Sequence, residues 1–267
     1  MMNLKHSQQR GLTLIELMVA LVISLLILAG LFTVYQSNQR GYQLNDGLTR
    51  TQENGRFAID FLSRDIRVAA YPGNNVQIKS VLFNGSQNNV VDSNNHPSPS
   101  DTFVLRHGAT GLLTADCAGN TPGNVDTANS MPNTTLNQYD IRNTVRINNR
   151  CRPIYALFCN GNELVEGIEN MQVLYGVDTD YTPNFITNQY FTSDLVPNGD
   201  WSKIVSLRIA LLASSVDERA SAPSAKTFNL LGTTLGPYNG TTTGIPADQK
   251  IRRVYTTTIL IRNNIVQ

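Results

Sequence analysis

Residues 12–35, LTLIELMVALVISLLILAGLFTVY, form an almost unbroken apolar run with a single charge, Glu16. As a helix rising 1.5 Å per residue the run spans about 36 Å, enough to cross a hydrocarbon core of about 30 Å. From about residue 38 the pattern becomes amphipathic. Leu44, Leu48, Thr51, Gly55, Ala58, Leu62, Ile66 and Ala69 recur at steps of three or four and form one stripe. Arg56, Asp60 and Arg64, spaced i, i+4, share another face and can pair. No proline interrupts residues 12–71, and Pro72-Gly73 stops the helix. The pattern predicts one helix from about 13 to 70, or two helices broken near Gly41. Gly41, Gly47 and Gly55 each weaken it by about 1 kcal/mol relative to Ala, so the stripe needs a globular partner to hold it.

Beyond residue 73 the period changes to that of strands separated by polar loops. Ile78–Phe83, Thr102–Arg106, Ile154–Phe158, Glu163–Val165, Met171–Val177, Val205–Leu212 and Val254–Arg262 are strand candidates. Asn160-Gly161 offers a tight turn between two of them. Residues 84–100 and 114–138, rich in Asn, Ser, Thr, Gly and Pro, read as loops. A helix followed by antiparallel strands is an α+β architecture, with the helix stripe laid across the sheet.

Charge is nearly balanced, with 21 Lys and Arg against 20 Asp and Glu. That balance gives no footprint for nucleic acid and no acidic tail. Three histidines, His6, His96 and His107, and three cysteines, Cys117, Cys151 and Cys159, make neither a zinc-ligand spacing nor a catalytic pair. No nucleophile elbow, phosphate loop or HExxH is present, so an enzyme is not expected. Asp178-Thr179-Asp180 with Asn184 places oxygen atoms at alternating positions, yet a Ca²⁺ loop uses more ligands and a closing Glu and Gly. The segment reads as a polar turn after a strand, and no metal or cofactor is expected. Trp201 reads as a core anchor at a strand start. In an oxidising compartment three cysteines leave one disulfide and one free thiol.

The flanks of the apolar run orient it. Lys5 and Arg10 precede it without an acid, which predicts a cytoplasmic N-terminus and an exported remainder. The run is too long for a secretory signal core of roughly 7–15 residues. A plain anchor leaves Glu16 unexplained, because a charge at depth costs roughly 2.5–3.5 kcal/mol, unless it lies near the interface and complements the positive end of the helix dipole. The stretch Gly11-Leu12-Thr13-Leu14-Ile15-Glu16-Leu17 resembles the class III signal of type IV prepilins and type II secretion pseudopilins. The resemblance implies cleavage after Gly11 by a prepilin peptidase, N-methylation of Leu12, and an assembly contact for Glu16. Leu12 stands where most members carry Phe. Asn54–Arg67, Leu164–Asp180, Trp201–Leu212 and Tyr255–Asn263 resemble, in order, stretches of the PilW family of type IV minor pilins.

That resemblance implies a pilin-like α+β fold in four parts. These are a leader (1–11), a transmembrane helix (12–35), its amphipathic continuation (36–71) and a β-rich extracytoplasmic domain (72–267). It implies a minor pilin that primes pilus assembly and sits at the tip, with other minor pilins, the major pilin, the peptidase/N-methyltransferase and the inner membrane as partners. The chain would first be a single-pass inner-membrane protein with a periplasmic C-terminal domain, and later part of the pilus. A minor pseudopilin of type II secretion is the alternative. The PilW-like pattern also implies a Cys117–Cys159 disulfide, with Cys151–Cys159 as the rival pairing.

Glycine at the cut gives the peptidase the smallest side chain and a flexible backbone. Gly11→Val is therefore expected to leave a slower-migrating precursor in the membrane on an immunoblot. Processing at the normal rate would contradict the prepilin signal.

Overall fold

A computed structural model describes residues 13–69, 100–108, 115–120, 134–180, 184–196, 201–220, 223–241 and 247–262. The chain divides into two compact units, residues 1–45 and 46–267. The helix α1 (Leu14–Val68) supplies residues to both and continues unbroken through Gly41. In the first unit the large apolar side chains from Leu14 to Tyr35 are all exposed. The hydroxyls there are satisfied within the helix, Ser24 Oγ donating to the Ala20 carbonyl and Thr33 Oγ1 to that of Gly30, each at 2.7 Å. A helix in an apolar solvent must close its polar groups internally in this way.

In the second unit α1 buries Gly47, Thr51, Gly55, Ala58, Leu62, Ser63 and Ile66. The amphipathic stripe is thus present from Thr51 onward, with one correction. Leu48 is exposed and Gly47 takes the buried position. Gly47 lies one turn before Thr51, and an added Cβ there would sit 3.1 Å from Arg219 Cγ. Arg64 pairs with Asp60 at 3.0 Å on the exposed side of the helix.

As expected, the strands are antiparallel, and among the described residues they form two four-stranded sheets and a two-stranded hairpin. The first has the order β1 (Phe103–Gly108), β2 (Thr134–Ile147), β3 (Pro153–Cys159), β4 (Asn162–Glu166). The second places β5 (Ile168–Val177) between β6 (Gln189–Phe191) and β7 (Ile204–Ser214), with β10 (Arg252–Leu260) outside β7. Asn160 and Gly161, at φ 49 and 81, make the expected tight turn between β3 and β4. Gly167 alone separates β4 from β5 and so joins the two sheets. Its φ is +76, its N–H donates to Tyr155 O and its carbonyl accepts from Ser214 N–H, both at 2.7 Å. A Cβ there would lie 2.6 Å from Ser214 O, so the junction has room only for glycine.

One core joins α1 to both sheets through Ala58, Leu62, Ile66, Phe103, Leu105, Tyr139, Leu157, Met171, Val173, Leu207, Ile209 and Ile259. On the opposite side of the second sheet, the hairpin β8 (Phe228–Leu230) and β9 (Thr233–Leu235) packs with Tyr238 over Ala210 and Leu212. β5 and β7 are buried along nearly their whole length, on both faces of the sheet. Trp201 meets Tyr175 edge-on at 5.3 Å just before β7.

The loop expected over 114–138 is corrected at its end, because β2 begins at Thr134. Thr135 and Asn137 face inward there, so polar residues occupy core positions and hide the strand period. The candidate strand Ile78–Phe83, the stop at Pro72-Gly73 and most of the loop 84–100 lie outside the described residues.

At Gly55 α1 lies against β10, since an added Cβ would fall 2.2 Å from Tyr255 Cε2. Gly55→Ala is expected to cost about 1–3 kcal/mol through overpacking, exceeding its gain of about 1 kcal/mol in helix propensity. Urea unfolding of the variant in detergent micelles checks this. Adding Tyr255→Ala should turn the same substitution neutral or favourable.

Candidate functional site

At the start of α1, Thr13 and Glu16 bind each other. Thr13 Oγ1 accepts from Glu16 N–H at 3.3 Å. Glu16 Oε2 accepts from Thr13 Oγ1 at 3.3 Å and from Thr13 N–H at 3.4 Å. This is a capping box, in which a Thr and a Glu three residues apart satisfy orphan backbone donors reciprocally. The pattern is legible in Thr13-Leu14-Ile15-Glu16, although the sequence analysis weighed Glu16 only as an assembly contact or as a charge against the helix dipole. Gly11, Leu12 and His6 lie outside the described residues, as does His96.

A second polar constellation ties the helix to the disulfide. Asp65 on α1 accepts two bonds from Asn137 Nδ2, at 3.1 and 2.9 Å, and one from Tyr139 Oη at 2.7 Å. Asn137 Oδ1 in turn accepts from the N–H of Cys117 at 3.0 Å. Cys117 is bonded to Cys159 at the end of β3, with their Cα atoms 6.1 Å apart. Cys151, the remaining thiol, is exposed. Asp116 completes the turn. It accepts from the N–H groups of Ala118 and Asn120 and from the side-chain amides of Asn120 and Asn160. Burial alone would push its pKa up, but these hydrogen bonds together hold it below the usual carboxylate range. The chain is thus cross-linked from α1 through β2 to the 115–120 turn.

A third cluster is buried between β5 and the segment entering β10. Arg252 donates to Glu169 at 2.6 Å and to Asp248 at 2.6 Å, and Lys250 Nζ donates to Glu169 at 3.1 Å. The Arg252 guanidinium also lies 3.5 Å from the centre of the Tyr238 ring. Two cations and two anions are balanced within this network. Near the β2–β3 tip, Arg150 and Arg152 flank the buried Glu218 at 3.7 and 3.3 Å. These arrangements hold segments together. Among the described residues, no group of three or more His, Cys, Asp or Glu could hold a metal ion.

An exposed apolar helix, headed by a capped acid and followed by a disulfide-bearing α+β domain, defines a type IV pilin-like protein. The prokaryotic N-terminal methylation motif matches residues 6–32. The family described as type IV pilus-assembly protein W, PilW, matches residues 127–263, and the chain belongs to that family. The solved structure of a type IV-like pilin from Thermus thermophilus is similar at 15% identity and a TM-score of 0.36, covering 83% of this chain and 98% of that one. No curated protein matches the sequence.

Burial, reinforced by the negative charge of Asp65 and the hydrogen bond to it, raises the Tyr139 phenol well above its ordinary pKa. Tyr175 is raised as well, by burial and then by Asp101. A raised pKa means that the folded state holds the proton more tightly. The resulting stability is complete below the unfolded phenol pKa of about 10 and is lost as pH rises beyond it. Urea midpoints are expected to fall steeply above about pH 10. Tyr139→Phe should lower stability at neutral pH by about 1.5–3 kcal/mol, the worth of a hydrogen bond to a charged group, and flatten the alkaline decline.

Proposed function

We propose that this chain is a minor pilin of the type IV pilus that takes part in starting pilus assembly and occupies the pilus tip. The observation that carries the reading is membership of the PilW family together with the methylation motif on the same chain. In this reading residues 1–11 are a leader removed after Gly11 and Leu12 becomes the N-methylated N-terminus. Residues 12–35 cross the inner membrane, and 36–71 continue as the amphipathic helix. Residues 72–267 are periplasmic until the subunit enters the filament. The partners are the prepilin peptidase, the major pilin and other minor pilins. The protein is a structural component and not an enzyme.

The exposed apolar surface of Leu14–Tyr35 supports this reading. Such a surface suits first a lipid bilayer and then neighbouring apolar helices. Glu16 would act in assembly. A free α-amine created at Leu12 is a cation close to a carboxylate that is costly in an apolar medium. In a filament of staggered helices, Glu16 of one subunit can meet the amine of its neighbour, relieving both charges and setting the axial register. The capping box with Thr13 keeps the carboxylate at the helix start, where this exchange takes place.

Glu16→Ala leaves the apolar run intact. It is expected to insert and be cleaved normally, as read by immunoblot. In a strain lacking the native copy it should abolish or sharply reduce surface pili, as counted by electron microscopy. Normal piliation would overturn the assembly role of Glu16, and loss of secretion with intact pili would point to the pseudopilin alternative.

A further inference from the structure

β10 is an outer strand of the second sheet, and only its β7 side is paired. At the two ends of that ladder Ile251 O accepts from Ser215 N–H at 2.8 Å and Ile261 N–H donates to Val205 O at 2.9 Å. The register between them is unbroken. In an antiparallel ladder alternate residues turn their backbone groups to the partner strand and the others turn them away. Residues 253, 255, 257 and 259 therefore bond to β7. The N–H and C=O groups of Val254, Thr256, Thr258 and Leu260 point outward, and among the described residues none of them has a hydrogen-bond partner. Edges of this kind are usually blunted by a proline, a bulge, a charge or short length. Val254–Leu260, VYTTTIL, has none of these and is rich in strand formers. Thr256 and Thr258 are exposed, and Leu260 is 55% exposed. The edge is also electropositive. Arg208 Nε donates to Thr258 Oγ1 at 3.2 Å, and its guanidinium lies 4.0 Å from the centre of the Tyr190 ring. Arg253 lies 5.9 Å from the centre of the Tyr255 ring, and Arg56 follows Gly55 on α1. Asp60 is taken by Arg64. Among the described residues Arg56, Arg208 and Arg253 form no ion pair with an acid.

We propose that the outward edge of β10 is a docking site for an extended, acid-bearing segment of another polypeptide, which joins the second sheet as a further strand. Main-chain hydrogen bonds to Val254, Thr256, Thr258 and Leu260 supply the affinity, and the side chains of the segment alternate between the two faces of the sheet. The three arginines without acids select a segment of opposite charge. A second copy of β10 does not fit the edge. α1 runs along β10, since Cβ atoms added at Gly47 and Gly55 would meet Ile251 and Tyr255. Antiparallel pairing of two copies would set their helices at the strand spacing of about 4.8 Å, whereas packed helices need about 8–10 Å. Parallel pairing would set Arg252 and Arg253 opposite their own copies, like charge against like. A segment that brings no helix and carries acids meets neither obstacle. The proposal stands on the edge of β10 and is independent of the pilus assignment.

The probe is a blocked peptide of alternating valine and glutamate, about as long as β10. It is titrated into the full chain in non-ionic detergent micelles and followed by calorimetry and by hydrogen exchange. Saturable binding with a Kd of about 1 mM or tighter is expected. Exchange should slow at the amides of Val254, Thr256, Thr258 and Leu260 and stay unchanged at 253, 255, 257 and 259, which β7 already holds. The lysine analogue of the peptide should bind roughly tenfold more weakly or not at all, because its charge repels the arginines. Thr256→Pro removes one outward N–H and no bond to β7, a change that an edge strand tolerates. It should weaken binding of the glutamate peptide roughly tenfold or more, through the lost bond and the ring in the path of the added strand. Binding of the glutamate peptide weaker than about 1 mM would overturn the proposal. So would equal binding of the lysine analogue, protection that does not alternate along β10, or binding that survives Thr256→Pro intact. Because exchange is read on the native chain, the outcome does not depend on any variant folding.

Discussion

Ala58, Leu62 and Ile66 are fully buried, and on this one face of α1 both four-stranded sheets close. Burying a Leu or Ile contributes about 1.5–3 kcal/mol. The approach is close because the same face carries Gly55 and Ala58 where larger residues would hold the strands away. Gly167 imposes the matching constraint on the strands. A single residue must pass the chain from one sheet to the other while bonding both neighbours, and a left-handed backbone without a Cβ allows it. The helix face and the glycine junction together fix how the two sheets share their core.

Polar groups then define the geometry within that core. Asp65 is bound by Asn137 and Tyr139, and Asn137 reaches on to Cys117. The disulfide closes a sequence separation of 42 residues, which the chain-entropy account values at roughly 3–4 kcal/mol through the unfolded state. The Glu169–Lys250–Arg252–Asp248 cluster acts differently. Buried ion pairs offset their desolvation cost only when fully hydrogen-bonded, so they add modest net stability. Removing one member would leave an uncompensated buried charge, and in this way the cluster holds the entry to β10 in one place.

The two parts of α1 answer to different surroundings. From Leu14 to Tyr35 the helix is apolar on all sides, and its hydroxyls are closed on its own backbone. From Gly47 to Ile66 only one face is buried, and acids and bases such as Asp60 and Arg64 occupy the rest. This change from an apolar surface on all sides to one-sided burial is what a membrane or filament contact followed by a globular domain requires of one helix.

Elements with a strong period could be read from the sequence alone. The long helix, the β3–β4 hairpin with its Asn160-Gly161 turn, and the central strands β5 and β7 all carry local signals. So does the prepilin stretch around Gly11 and Glu16, since its chemistry lies in contiguous residues. Local pattern was silent where a residue's role depends on a distant partner. Leu48 and Gly47 are exchanged because burial there is set by Arg219 and Ile251. The start of β2 was masked because Asn137 is inward to meet Asp65, 72 residues away. The division into two sheets at Gly167 is decided by Tyr155 and Ser214. The spacing of Asp178, Asp180 and Asn184 was visible in the sequence. Only the folded chain shows both acids accepting hydrogen bonds from Asn184, because the position of a partner is a property of packing between segments and not of any one of them.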